Sequence, residues 1–132
     1  MNDKELVANS ALEYVKDGMI IGLGTGSTAN YFIDGLAKKI KSENLKIKVV
    51  ASSIVSQDRA NQAGIKYISI DQIDQIDLYV DGADEITNEL ALLKGRGYDL
   101  IKEKLLASSS SKFIVIADKS KIVVKIGEKF QI

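Results

Sequence analysis

Five short strand-like runs, the first of them continuously apolar and short enough to be a strand buried on both faces, alternate with helix-length stretches and restrict this chain to few folds. The runs are Met19–Leu23, Ile47–Ala51, Tyr67–Ile70, Leu78–Val80 and Phe113–Ala117. Between them, Glu5–Lys16 carries Leu6, Ala8, Ala11, Leu12 and Val15 at helical spacing, and Asp17-Gly18 ends it. A second helix, capped by Ser27 or Thr28, carries Phe32, Ile33, Leu36, Ala37 and Ile40. Ser56–Ala63 reads as a short helix closed by Gly64, and Tyr98–Ser108 as a fourth. Strand and helix alternating without a linker predict an α/β fold with a largely parallel sheet. In such a fold, ligands sit outside the carboxyl ends of the strands.

Composition narrows the chemistry. The 132 residues are 45% hydrophobic, and Lys+Arg and Asp+Glu both number 18, which gives zero net charge. These values fit one globular domain with no overall field to draw it to nucleic acid or membrane. No run approaches a membrane span and the N-terminus has no signal-peptide pattern, so the expected location is the cytoplasm. With no Cys and no His, thiol nucleophiles, thiolate metal sites and the commonest general base are excluded. Acid–base chemistry must use carboxylates, Lys, Tyr or water.

Two segments fall at expected strand ends. Asp81-Gly82-Ala83-Asp84-Glu85 follows Leu78-Tyr79-Val80 and crowds three carboxylates together, which costs repulsion and desolvation. A solvated acidic turn would explain them taken alone; their place after a buried strand favours a site that binds sugar hydroxyls, transfers protons or holds Mg²⁺. Ile20-Ile21-Gly22-Leu23-Gly24-Thr25-Gly26-Ser27-Thr28 runs from a strand into a glycine and hydroxyl turn. The dinucleotide fingerprint fails because Ser27 stands where its last glycine belongs, and the Walker pattern fails for want of Gly-Lys-Ser/Thr. What survives is either an ordinary capped turn or a site for a small phosphate at a helix N-terminus. Lys94-Gly95-Arg96-Gly97 before a helix is another anion-friendly geometry, whereas Glu103 between Lys102 and Lys104 reads most simply as an exposed helix surface. Tyr79 and the other aromatics read as packing.

Taken together, GLGTGSTA (Gly22 to Ala29), Ala51-Ser52-Ser53, YVDGADEI (Tyr79 to Ile86), LKG (Leu93 to Gly95), EKLLA (Glu103 to Ala107) and FIVIADKSKIV (Phe113 to Val123) resemble ribose-5-phosphate isomerase of the A type along almost the whole chain. The resemblance implies a Rossmann-like three-layer sandwich of the ribose-5-phosphate isomerase/CoA transferase-like kind. It also implies interconversion of ribose 5-phosphate and ribulose 5-phosphate in the pentose phosphate pathway, with no metal or organic cofactor. Carried over by position, Glu103 is the general base that moves a proton between C1 and C2 through an enediolate. Asp81, Asp84 and Lys94 assist ring opening and bind the reacting oxygens. Thr25, Gly26, Ser27, Thr28, Lys4 and Lys121 contact the phosphate and nearby sugar. Backbone N–H groups around Gly95 and Gly97 stabilise the developing oxyanion, each worth about 3 kcal/mol in comparable sites.

Two departures from the family pattern stand out. Gly95-Arg96-Gly97-Tyr98-Asp99 replaces a glycine run followed by alanine, bringing the bulk and charge of Arg96 and Asp99 beside the expected base. The chain also ends where family members continue into a small second domain, so residues 1–132 are expected to form a single α/β catalytic domain of a shortened chain. The expected partner is a small sugar phosphate, with no nucleic acid and no membrane, and a homodimer or homotetramer is left open. Two rival readings are a non-catalytic sugar-phosphate sensor on the same fold and, weakened by its failed fingerprint, a dinucleotide-binding module.

Overall fold

A computed structural model describes residues 1–95 and 100–130. Its centre is a four-stranded sheet in the order β2-β1-β3-β6, built from β1 (Ile20–Leu23), β2 (Lys48–Ala51), β3 (Ile76–Asp81) and β6 (Ser110–Val115). All three pairings are parallel, as expected of strands joined through helices. The remaining helices are α1 (Asp3–Leu12), α2 (Ser27–Glu43), α3 (Ile54–Gln62) and α4 (Leu100–Ser108).

Three layers follow from which side chains the strands present to each face. Ile21, Leu23, Val49, Leu78 and Val80 pack against Ala8 and Ala11 of α1, Phe32, Ile33 and Leu36 of α2, and Ala60 of α3. Val50, Ile76 and Tyr79 pack on the opposite side with Leu106 of α4, joined by Ile68, Ile70, Ile73 and Phe113. The chain leaves β1 for β2 on one side and then returns to place β3 on the other. That reversal opens a crevice between the carboxyl ends of β1 and β3, the position where open α/β sheets bind ligands.

Some expectations about the elements need correction. Tyr67–Ile70 is not a strand: Tyr67 makes one isolated bridge to Val49, with Ile68 N donating to Val49 O at 2.9 Å. Ser69 then caps a 3-10 turn at Ile70–Gln72, and this local capping box bends the chain off the sheet edge. The first helix ends at Leu12 rather than Lys16, and its Leu6 is half exposed. The last strand starts at Ser110, three residues before the apolar run. Gly26, not Ser27 or Thr28, caps α2, with φ 115° and no side-chain hydrogen bond. Of the expected helix at Tyr98–Ser108, Tyr98 lies outside the described residues.

The acidic segment is not one turn. Asp81 is the last residue of β3, while Glu85 opens a small antiparallel hairpin of β4 (Glu85–Ile86) and β5 (Leu92–Leu93). Glu85 is fully buried and accepts the amides of Gly127 at 2.7 Å and Lys129 at 2.6 Å. Beside it, Val123 N donates to Ile86 O at 2.9 Å. This carboxylate therefore clamps the 123–130 segment onto the hairpin. Burial pushes Glu85 up, but the amides of Gly127, Lys129 and Phe130 and the charge of Lys129 outweigh it and hold the carboxyl below its ordinary range.

The sign of that shift sets a pH dependence. As pH falls, the unfolded chain takes up the proton first, so what Glu85 contributes is complete above its ordinary value near 4.5 and drains away below it. The urea midpoint of Glu85→Gln should lie below that of the wild type at neutral pH. The gap should narrow as the pH drops through the carboxylate range; a gap that stays constant would show that the clamp does not depend on charge.

Candidate active site

A cleft of about 260 Å³ opens at the carboxyl ends of β1 and β3. It collects every expected site residue that the structure describes. Thr25 and Gly26 come from the turn between β1 and α2, Ser27 and Thr28 from the start of α2, Asp81 from the end of β3, Asp84 from the connection between β3 and the strand at Glu85–Ile86, and Lys94 and Gly95 from the chain after β5. Glu103 arrives from the first turn of α4, Lys4 from α1 and Lys121 from the 3-10 turn at Lys119–Lys121. Gly97, and with it Arg96 and Asp99, lies outside the described residues.

Glu103 shows why a flanking sequence can mislead. Lys102 and Lys104 do face solvent, but the helical turn carries Glu103 to the opposite side, where it is only 7% exposed. Its Oε1 lies 2.8 Å from Lys94 Nζ. The same ammonium lies 3.2 Å from Asp81 Oδ2 and donates to Gly82 O at 2.5 Å. Buried carboxylates of this kind are costly unless their charge is compensated, and Lys94 supplies an ion-pair partner for both acids at once.

Asp81 has further donors. Its Oδ1 accepts the amides of Gly82 at 2.7 Å and Thr25 at 3.3 Å, and its Oδ2 accepts the Tyr79 hydroxyl. The sequence reading gave Tyr79 to packing alone. The ring does stack on Phe113, at 4.8 Å between centroids and 17° between planes, but the phenol reaches the site. Its period along the strand held the missing signal: Tyr79 and Asp81 are two apart on β3 and so share a face. Asp84 differs from Asp81, since its carboxylate has no hydrogen-bond or ion-pair partner among the described residues.

The opposite wall is a helix N-terminus kept open. Because Gly26 offers no capping side chain, the first amides of α2 are left to a ligand, and the partial positive charge there favours an anion. Lys4 Nζ donates to Ser27 Oγ at 2.7 Å, which brings a cation to the same turn. Lys4 and Lys121 both act on the Asp118 carboxyl, held below its ordinary range chiefly by the hydroxyl and amide of Ser120. Thr25 Oγ1 is held from behind by Ser53 Oγ at 2.7 Å, Ser52 Oγ at 3.0 Å and Ser56 Oγ at 3.1 Å. Ser56 in turn donates to Gly24 O at 2.6 Å. These serines tie the turn after β1 to the start of α3, a role the sequence reading did not assign. Among the described residues no group of three or more acidic, His or Cys side chains is arranged to hold a metal ion.

The arrangement can therefore seat a small dianion at the α2 end and offer carboxylates and an ammonium within the same cleft. Comparisons with known proteins point the same way. Residues 48–132 match the family model described as ribose 5-phosphate isomerase A (phosphoriboisomerase A). The ribose-5-phosphate isomerase A of Streptococcus pneumoniae serotype 4 is 44% identical over 126 residues, covering 96% of this chain and 56% of that protein. The solved structure of ribose 5-phosphate isomerase A from Methanocaldococcus jannaschii aligns with a TM-score of 0.92 at 41% identity, covering 96% of this chain and 56% of that one. A D-ribose-5-phosphate isomerase in complex with phospho-erythronic acid aligns with a TM-score of 0.94 at 41% identity, over 98% of this chain and 58% of that one. The chain thus spans a little over half the length of the curated relatives it matches.

The close approach of β1 to Asp81 gives a direct test of this geometry. A Cβ added at Gly24 would stand 2.0 Å from Asp81 Oδ1 and 2.1 Å from its Cγ. Gly24→Ala should cost about 1–3 kcal/mol of stability, as overpacking does, read from urea unfolding. An undiminished midpoint would mean that the strand end yields easily.

Proposed function

The chain belongs to the ribose 5-phosphate isomerase A family, and on that premise we propose that its cleft interconverts ribose 5-phosphate and ribulose 5-phosphate. The observation that carries this reading is the pairing of Glu103 with Lys94 at 2.8 Å inside the cleft that opens on the α2 N-terminus. A protein that only binds a sugar phosphate has no need for a buried carboxylate held by an ammonium in the same cleft. A relative of the same fold holds phospho-erythronic acid, a four-carbon phosphorylated acid, which supports the same ligand class here.

In this mechanism the phosphate rests on the first amides of α2, with Ser27, Thr28, Lys4 and Lys121 around it. Asp84, just after β3, faces the sugar and assists opening of the ring, with Asp81 behind it beside the Lys94 ammonium. Glu103 then takes the proton from C2 of the open-chain aldose, giving an enediolate, and returns it to C1, while the hydroxyl proton lost at O2 is gained at O1. Charge developing on the enediolate oxygens is met by the Lys94 ammonium and by the chain at Gly95. Gly95 is suited to this place because its φ of 91° and the closeness of Leu100, 2.8 Å from a built Cβ, leave no room for a side chain. Only carboxylates and lysines carry the chemistry, in keeping with a chain that has no histidine. On this reading the chain is the α/β catalytic domain, working in the cytoplasm in the pentose phosphate pathway as a homodimer or homotetramer.

A coupled assay on the purified protein decides the matter first: no ribulose 5-phosphate formed from ribose 5-phosphate would overturn the enzymatic reading. Glu103→Gln should lower kcat by about 10²- to 10⁴-fold, the usual span for a general base, with sugar-phosphate binding retained. Near wild-type turnover in that variant would place the base elsewhere. Lys4→Ala should raise KM by about two- to fivefold, as expected for a partly exposed charge, with kcat little changed; a fall in kcat alone would argue against a phosphate contact.

A further inference from the structure

Asp81 is engaged on both carboxylate oxygens. Of the about four lone-pair sites a carboxylate offers, three accept hydrogen bonds, from two backbone amides on Oδ1 and the Tyr79 phenol on Oδ2. The Lys94 ammonium lies beside Oδ2 as an ion pair. Lys94 is engaged as well: its ammonium donates to Gly82 O and forms ion pairs with Asp81 Oδ2 and Glu103 Oε1. A carboxylate engaged on both oxygens is poorly placed to meet a sugar hydroxyl, and Asp84, whose carboxylate has no partner among the described residues, is left for that task.

Tyr79 is the member of this set that the core holds in place. It is fully buried, its ring stacks on Phe113, and its position on β3 pairs with Gly22 on β1. A Cβ at Gly22 would come within 2.8 Å of the ring, so the glycine gives the ring its space. Burial first, then the charge of Asp81, pushes the phenol far up from its ordinary value, so it remains a donor throughout the working pH range.

We propose that Tyr79 is a positioning residue of this site: its phenol fixes the Asp81 carboxylate, and Asp81 in turn holds the Lys94 ammonium against Glu103. Asp81 is then the anchor of the ammonium, and Asp84 the carboxylate that meets the sugar. The proposal rests on the isomerase reading given above. It differs from a purely structural role for Tyr79 in one measurable way. A broken anchor should disturb the reacting end of the ligand and leave the phosphate end as it was.

Tyr79→Phe tests it, because the ring and its stacking survive while the donor is lost. Turnover and calorimetry would be compared with the wild type, using ribose 5-phosphate, phospho-erythronic acid and inorganic phosphate. The variant should lose about tenfold in kcat and in affinity for phospho-erythronic acid, the scale of a lost bond to a charged group. KM and the affinity for inorganic phosphate should stay within about twofold, as for an interaction felt mainly in the transition state. Equal kcat and equal phospho-erythronic acid affinity in the two proteins overturn the proposal but leave the isomerase reading standing. Equal losses for phospho-erythronic acid and inorganic phosphate also overturn it, since they indicate a general loosening. A wild type that neither turns over ribose 5-phosphate nor binds phospho-erythronic acid overturns the isomerase reading, and the proposal falls with it. If Tyr79→Phe does not fold, NMR of the wild type decides: the Tyr79 hydroxyl proton should exchange slowly with water, and fast exchange overturns the lock.

Discussion

Taking a carboxylate out of water at the end of a parallel strand is the constraint on which this architecture turns. An ionised Asp81 in that position needs donors on every side, and each donor comes from a different part of the chain. The turn after β1 contributes the Thr25 amide, β3 contributes Tyr79, the residue following β3 contributes the Gly82 amide, and the chain after β5 contributes Lys94. Satisfying one charge thus draws together the segments that line the cleft. Lys94 extends the arrangement to Glu103 on α4, so the second helix layer is tied to the same point.

Two buried carboxylates in one short motif serve different ends. Asp81 is held by side chains and amides beside the cleft, whereas Glu85 turns away from it and accepts amides of the 127–130 segment. The motif reads as a cluster of like charges, but the change from β3 to the hairpin separates them. Repulsion between neighbours in sequence is relieved by geometry, each acid being given its own donors. Of the three acids in the motif, only the Asp84 carboxylate has no donor among the described residues, and it lines the cleft.

Much of this was legible in the residues. The apolar runs located β1, β2, β3 and β6, and strand–helix alternation gave the parallel sheet and the end of it where a site should lie. The glycine turn and the acidic segment fell together in the cleft as their positions at strand ends required. What could not be read depended on contacts distant in sequence. Glu103 between two lysines looked exposed because local charge says nothing of which helix face meets the sheet. Tyr67–Ile70 had the composition of a strand, but a Ser69–Gln72 capping box at the sheet edge claimed it. Glu85 showed no purpose until the 120s were folded back on the hairpin, and the serines behind Thr25 only became a unit once β1 and β2 were paired.

Gly22 of β1 and Gly24 just after it are spaced like Tyr79 and Asp81 of β3. Gly22 lies opposite Tyr79, and Gly24 lies against Asp81. A slide of one strand along the other would bring a side chain against the ring or the carboxylate, so the pairs act as a key that admits one alignment. The chain need not first build a sheet and then adjust a site upon it. Correct docking of the two central strands already delivers the carboxylate to its donors, and a misaligned sheet would be rejected by the same steric test that shapes the cleft.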